Sequence, residues 1–498
     1  MTLNHLLWES PAASTGLDCI GDEGRMLSYV EVEALVRAAA EDLAERGIGE
    51  GDVVGVMLDN SIELVVGIFG AWLLGAVATP INPTFTEREL QYQLDDSNAK
   101  LLLTDEAVLS RLPGLRVPAL NAAELRTVAT GSPRARVTPP TALALLIYTS
   151  GSTGQPKGVM LDHANLNAMT HAFAEHFALS ARDCALLVLP LFHVNAICLS
   201  LLAPISVGGS TVLMKRFSPL PFLEAIERHR PSYFCAVPAI LARLVELPAE
   251  VLPDFSSVRF VLCGAAPVSE ELLRLSAQRF GLRIIEGYGL TEASCASACN
   301  PLDGPHKLGT VGPALAGQQI RLTDESGDPV PTGERGEIRI SGPTVMRGYH
   351  GRPEATAETI VDGWLRTGDV GVLDEDGYLR VVDRIKDMII RGGENIYPKE
   401  IESHLATHPA VLESAVVGAA HPTLGEVPVA YVVAHPGTRP TVEELLAHCS
   451  VGLMKVKVPA RLDVLESLPR NPVGKIDKPE LRRRTAPFLS PTRRVAGV

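Results

Sequence analysis

YTSGSTGQPKGV, from Tyr148 to Val159, is the stretch on which the reading of the whole chain turns. Gly151, Gly154 and Gly158 permit sharp turns that aim backbone N–H groups inward. Thr149, Ser150, Ser152 and Thr153 add hydroxyl donors, and Lys157 adds a positive charge. Such a loop suits a polyphosphate, because open amides and hydroxyls replace the water around its oxygens. It is not a Walker loop: Lys157 is followed by Gly158 rather than Ser or Thr, and Pro156 stands where a glycine is required. A Gly/Ser-rich turn is also what a flexible connector looks like, so the neighbours have to decide.

Immediately before it, LALLIY from Leu143 reads as a buried strand, and after it DHANLNAM can start a helix. Further out, VVGVML from Val53, LLLT from Leu101, YFCAV from Tyr233 and VRFVLCG from Val258 are further buried strands. Helical patterns such as Tyr29 to Arg46 and Pro219 to His229 lie between them. This alternation specifies the α/β class, with sheets covered on both faces. Arg111 to Pro140, rich in Pro and Gly, reads as a surface connection. Near Asp383 the rhythm changes to a compact strand and helix pattern, in which Pro398 suits a first helical turn and Ile401 and Leu405 mark its buried side. The expected organisation is a large, multi-subdomain α/β N-terminal domain over 1–384 and a small, mobile α+β C-terminal domain over 387–485. A basic, frayed tail follows over 486–498.

With 498 residues, 46% hydrophobic and 21% charged, the chain has globular composition, and at about 150 residues per domain its length suits about three folding units. A net charge of −13 disfavours nucleic-acid binding, for want of a basic stripe to displace phosphate counterions. The eight cysteines form no CxxC pair and mostly sit in apolar runs, as free buried thiols in a reducing compartment do. Leu64 to Ile81 approaches the length of a membrane span, but Gly67, Gly70, Gly75 and Pro80 interrupt it. It reads as a buried helix running into a strand, and with no signal peptide the expected location is the cytoplasm.

Five further blocks decide the meaning of the glycine loop: CGAAPVS from Cys263, EGYGLTEAS from Glu286, WLRTGD from Trp364, DRIKDMIIRGGENIYPKEIE from Asp383 and LPRNPVGKIDK from Leu468. Together and in this order they resemble the adenylate-forming superfamily, which includes acyl-CoA synthetases, luciferases and peptide-synthetase adenylation domains. The resemblance runs from about residue 25 to residue 485.

It implies an ATP site made of Thr149, Ser150, Gly151, Ser152, Thr153, Gly154 and Lys157 on the phosphates, with Gly264, Ala265, Ala266, Glu286, Gly287, Tyr288 and Gly289 around the adenine. Thr291 would touch the α-phosphate and Glu292 would hold Mg²⁺, a cation that takes hard oxygen ligands. Asp369 would accept both ribose hydroxyls, and Arg384 would reach the ribose or phosphates. Lys386 occupies the hinge position, although Asp383 and Asp387 flank it and an Asp serves as pivot in some relatives. Lys475 matches the mobile catalytic lysine, which offsets the repulsion between a carboxylate and the α-phosphate. Each of these, met alone, would pass for a turn or surface residue.

PLFHVNA, from Pro190, resembles the block lining the acyl pocket, with His193 as its gate and Asn195, Cys198, Val237, Ala265, Gly287 and Ser294 as neighbours. NPLDGPHKLGTVG, from Asn300, together with PLFHV resembles small-acid members of the superfamily, in which case His306 would meet a second carboxylate. Gly392 and Gly393 resemble the loop past which pantetheine reaches the acyl group, which favours CoA as acceptor. The expected activity is a carboxylate–CoA ligase using ATP, Mg²⁺ and CoA on a fatty, aryl or small organic acid. The alternative within the superfamily loads the phosphopantetheine of an acyl carrier protein. A luciferase-like oxygenase has no specific support. A silent nucleotide-binding scaffold would have no need of Lys157, Glu292, Asp369 and Lys475 together.

Overall fold

The computed structural model describes residues 2–112, 114–129, 138–149, 155–266, 268, 270–392, 394–421, 423–470 and 475–485. The chain divides into two compact units. One comprises Met1–Arg321, Arg339–Thr367 and Asp376–Leu379, and the other Leu322–Ile338, Gly368–Glu375 and Arg380–Val498.

In the first unit one sheet runs in the order Gly348–Tyr349, β8 (Lys157–Asp162), β7 (Leu143–Thr149), β4 (Val77–Pro80), β3 (Val53–Met57), β5 (Ala99–Thr104) and β6 (Ala119–Asn121). A second runs β14 (Ala298–Cys299), β13 (Ile284–Tyr288), β12 (Phe260–Cys263), β11 (Tyr233–Ala236), β9 (Cys184–Leu187), β10 (Ser210–Leu213), β1 (Asp18–Gly21) and β2 (Met26–Ser28). The pairs from β7 through β4, β3 and β5 to β6 are parallel, as are those from β13 through β12, β11, β9 and β10 to β1. Parallel strands are covered on both faces, which is why β3, β11 and β12 are apolar throughout and wholly buried. The α/β reading is what the structure has. The Arg111–Pro140 stretch differs in one respect. It contains β6, which adds to the edge of its sheet beside β5, because LN of Leu120–Asn121 is too short to signal a strand by period.

The apolar run after Ser61 is the helix Ile62–Leu73, followed by β4. Ser61 accepts from Leu64 N at 3.2 Å and so caps it. Its glycines are packing positions. A Cβ at Gly67 would stand 2.3 Å from Leu103 Cδ2, and one at Gly70 3.3 Å from Ala39 Cβ of the helix Tyr29–Glu45. Trp72 closes this layer, its Nε1 donating to Ala144 O at 2.8 Å. Beside it the buried His5 and His163 meet Nε2 to Nδ1 at 3.0 Å, and burial holds them neutral, with pKa values lowered to about 4 and about 3. Among the described residues no helix is long and apolar enough to cross a membrane. All eight cysteines are free thiols, seven buried and Cys184 half-buried.

The second unit is built on the hairpin Val411–His421 and Gly425–Ala434, flanked by Ile389–Arg391, Glu394–Ile396 and Arg461–Leu465. Alternation along the hairpin divides its core. Val416, Ala430 and Val432 pack with Ile401 and Leu405 of the helix Pro398–Leu405 and with Leu445 and Cys449 of the helix Val442–Gly452. Ala415, Val417, Val429 and Tyr431 pack with Leu468 and with Leu481 of the helix Lys478–Thr485. Ile401 and Leu405 are fully buried, as the sequence period requires.

Candidate active site

In an open parallel sheet, ligands bind beyond the carboxyl ends of the strands, where loops rather than side-chain layers meet. The residues singled out in the first unit gather there. Pro190 to Asn195 follow β9, Val237 follows β11, Gly264 to Ala266 follow β12, and Gly287 to Glu292 end and follow β13. His193 is half-buried, its N–H donating to Pro190 O at 3.0 Å and its ring 4.5 Å from that of Phe192. The next turn, Ala196–Leu202, is a π-helix carrying the buried Cys198. Such turns are rare and often mark functional sites.

The Gly-Tyr-Gly loop is a hairpin. β14 returns antiparallel to β13 with Gly287 opposite Cys299 and Tyr288 opposite Ala298. A Cβ on Gly289 would lie 1.6 Å from Cys295 O, so no other residue fits there. Ser294 and Cys295 take positive φ values of 58° and 117°, and Ser294 Oγ donates to Thr344 O at 2.6 Å, which holds the turn Thr291–Ala293 in place. Ala265, at φ 64°, is a third strained non-glycine position in the site. Cys198, Cys235 and Cys299 neighbour Cys295, and burial keeps all of them protonated, Cys235 pushed up to about 12. Asn195 lies within reach of the Cys295 thiol.

Glu286 is buried, and its Oε2 has no hydrogen-bond partner among the described residues. Burial pushes its carboxyl up to about 7, with Glu270 adding to the rise and the Gly309 amide opposing it. Between the ordinary carboxylate range and pH 7 the folded chain therefore binds more protons here than the unfolded one. Stability from this group falls as pH rises through that window. Glu286→Gln should raise Tm at pH 8 and leave it near wild type at pH 5. An unchanged Tm difference across that range in a thermal-shift series would count against this reading.

The strand before the glycine stretch is β7, and DHANLNAM starts the helix His163–His176, as the sequence suggests; the addition is the strand β8 between them. β7 and β8 are antiparallel, Thr149 faces Lys157, and the helix His163–His176 begins only after β8. Ser150, Gly151, Ser152, Thr153 and Gly154 lie outside the described residues. Tyr92 Oη donates to Pro156 O at 2.7 Å and anchors the far arm. Tyr349 faces β8 and brings two distant residues together. Its Oη donates to Glu292 Oε1 at 2.9 Å, while Lys157 Nζ lies 5.0 Å from its ring centroid. Burial, with Glu292 beside it, pushes the phenol up, so it remains a donor. Sequence reasoning missed Tyr349, because MRGYH carries no chemical signal of its own. Only the β8 pairing gives it a role.

No group of three or more His, Cys, Asp or Glu among the described residues forms a self-sufficient metal cage. A single carboxylate fits Mg²⁺ well, since this ion keeps water and phosphate oxygens as its other ligands. His306 lies in the loop that follows β14. It is exposed and near Arg283, the residue ahead of β13, and partial desolvation followed by that charge lowers its pKa.

In the second unit Arg384 Nε lies 2.9 Å from Asp369 Oδ1, on the strands Leu379–Arg384 and Trp364–Leu373, with the Asp369 side chain buried and Arg384 exposed. Lys386 sits in the turn Ile385–Asp387, its ammonium lowered by the surrounding protein and by Arg384. Gly392 turns at φ 60° and donates to Leu424 O at 2.7 Å, and Gly393 lies outside the described residues. Lys475 stands beside the bridge between Arg470 and Ile476, below which Asp477 N donates to Pro469 O at 2.8 Å.

The family model described as AMP-binding enzyme matches residues 8–350, and the one described as AMP-binding enzyme C-terminal domain matches 400–475. The chain belongs to the AMP-binding, adenylate-forming family. It is an ATP-dependent, AMP-forming acid–thiol ligase of the acyl-CoA synthetase type. Feruloyl-CoA synthase of Amycolatopsis sp is 40% identical, over 93% of this chain and 94% of that protein. Among solved structures, ATP-bound MatB from Rhodopseudomonas palustris has a TM-score of 0.90 at 30% identity, covering 98% of this chain and 100% of the other. The o-succinylbenzoate CoA synthetase of Bacillus subtilis, in complex with its acyl-adenylate intermediate, has a TM-score of 0.86 at 32% identity, covering 97% of each.

Proposed function

We propose that this adenylate-forming enzyme activates an aryl or aliphatic carboxylic acid and passes its acyl group to CoA in two half-reactions. The observation that carries the reading is the Lys157–Tyr349–Glu292 constellation beside the hairpin of Gly287 to Gly289. It sets a cation and a metal-competent carboxylate at the carboxyl end of the sheet, where a nucleotide's phosphates would lie.

In the first half-reaction a carboxylate oxygen forms a bond to the α-phosphorus as the bond to pyrophosphate breaks. Lys157 and the donors of Thr149 to Gly154 hold the departing phosphates, Tyr288 lies along the adenine, and Thr291 meets the α-phosphate. Lys475 spans the carboxylate and α-phosphate oxygens, and no proton need move. Mg²⁺, held by Glu292 and positioned by the Tyr349 hydroxyl, would neutralise phosphate charge. Asp369 and Arg384, already paired, hold the ribose. In the second half-reaction the CoA thiolate attacks the acyl carbon and AMP leaves with the bonding oxygen. A backbone turn at Lys386 withdraws Lys475 and presents Gly392 and Gly393 to the pantetheine, so one domain over 387–485 serves both steps against the domain over 1–384.

His193, Asn195, Cys198, Val237, Ala265, Gly287 and Ser294 shape the acid pocket. Its small side chains favour a flat aryl or extended aliphatic acid, in keeping with the feruloyl group in the name of one relative. The test is a panel of ferulate, benzoate, octanoate and sulfoacetate with ATP and Mg²⁺, offering CoA or a phosphopantetheinylated carrier protein in turn. Mass spectrometry should find acyl-CoA, AMP and pyrophosphate. Acylated carrier protein with no acyl-CoA would overturn the choice of acceptor.

A further inference from the structure

Beside the proposed hinge, the second unit contains a compact group of charges that the mechanism above does not use. Its carboxylates are Asp383, Asp387 and Glu402, and its cations are Lys399, Lys478 and Arg482. Asp383 Oδ2 accepts from Lys399 N at 2.8 Å, in the first turn of the helix Pro398–Leu405, where a carboxylate is favoured by the helix dipole. One turn further on in that helix, Glu402 Oε1 lies 2.8 Å from Lys478 Nζ and also accepts from Val416 N at 2.8 Å. In parallel, Arg482 Nη2 donates to Asp387 Oδ1 at 2.6 Å. Lys478 and Arg482 both belong to the short helix Lys478–Thr485, which starts immediately beyond Lys475.

The backbone between Lys475 and that helix has little freedom. Ile476 bridges to Arg470, Asp477 N donates to Pro469 O at 2.8 Å, and Lys478 N donates to Ile476 O at 3.1 Å. Asp477 then caps the helix through Glu480 N at 3.0 Å. Leu481 on the same helix is fully buried under the hairpin, so the helix cannot roll without exposing it. Lys478 and Arg482 tie the helix that follows Lys475 to Glu402 and to Asp387. Surface ion pairs seldom carry such a role, but the Lys478 and Glu402 side chains are only 19% and 14% exposed.

We propose that Lys478 and Arg482 are positioning residues that lock the Lys475 segment to the hinge carboxylates, Lys478 through Glu402 and the helix capped by Asp383, and Arg482 through Asp387. The hinge turn and the lysine then move as one body. The inference rests on the reading of Lys475 and Lys386 given above. Burial alone would lower the Lys478 ammonium, but Glu402, Asp383 and Asp387 outweigh it and hold the group charged.

The test separates the half-reactions in the full-length enzyme. Adenylation is followed by ATP–pyrophosphate exchange with whichever panel acid exchanges fastest, and thioester formation by supplying chemically made feruloyl-adenylate with CoA. Lys478→Ala should lower the kcat of exchange by about 10- to 100-fold, the scale of a misplacement of about 1 Å, with the KM values for ATP and acid little changed. Thioester formation should stay within about threefold of wild type, and Lys478→Arg should restore most of the exchange. Because Lys478→Ala leaves Glu402 without its partner, the double variant Lys478→Met/Glu402→Gln, which removes both charges, should show the same split at near-native Tm. Parallel loss of both half-reactions, or exchange within twofold of wild type, overturns the proposal. If wild-type enzyme exchanges and Lys475→Ala does not, such a result condemns the positioning role alone. If wild-type enzyme never exchanges, or Lys475→Ala exchanges normally, the functional reading falls and this inference with it.

Discussion

Lys475→Ala should reduce ATP–pyrophosphate exchange by about 10²- to 10³-fold while leaving thioester formation from supplied acyl-adenylate within about threefold of wild type. The size follows from the task. Two anions must meet at the α-phosphorus, and a pre-placed charge aimed at the developing one typically supplies about 3–4 kcal/mol. The selectivity follows from the chemistry of the second step, where a thiolate attacks a carbonyl and no carboxylate needs to be brought to a phosphate. The measurement is the ratio of the two half-reaction rates in one preparation. A uniform fall in both would show Lys475 supporting the domain rather than the adenylating transition state.

Glu292→Gln should be almost as severe for adenylation, about 10²-fold or more in kcat, and should raise the Mg²⁺ concentration needed for half-maximal exchange. The substitution keeps shape and an acceptor oxygen for the Tyr349 hydroxyl, now 2.9 Å away, so the change is one of charge. Tyr349→Phe, which leaves the carboxylate but frees its orientation, should cost about tenfold, the value of one hydrogen bond to a charged group. If Glu292→Gln left the Mg²⁺ dependence unaltered, the carboxylate would not be the metal ligand.

Much of this architecture is legible in the chain. The continuous apolar runs at Val53, Tyr233 and Val258 could only be doubly covered strands, and they are β3, β11 and β12. Pro219 to His229 is a helix over the span its sequence marks. Ile401 and Leu405 are one helical turn apart and share a buried face. Short segments escape. β6 and the pair Gly348–Tyr349 are too brief to have a period, and β8 was hidden because glycines and a lysine at its start mask an antiparallel return.

What the sequence determined by itself is therefore the set of elements and the chemistry of its blocks. Covalent neighbours set local conformation, and a glycine or carboxylate keeps its capability wherever it is placed. Only the tertiary structure decided which capabilities meet. Tyr349 joins Lys157 to Glu292 because a strand pairs across β8, and Gly289 is irreplaceable because Cys295 O stands where a side chain would go. Glu286 holds its proton to about pH 7 because burial removes the water that would stabilise its charge. Lys478 is paired with Glu402 because two helices pack beside one hairpin. Each of these depends on distance through space, and separation along the chain says nothing about that distance until the sheets have formed.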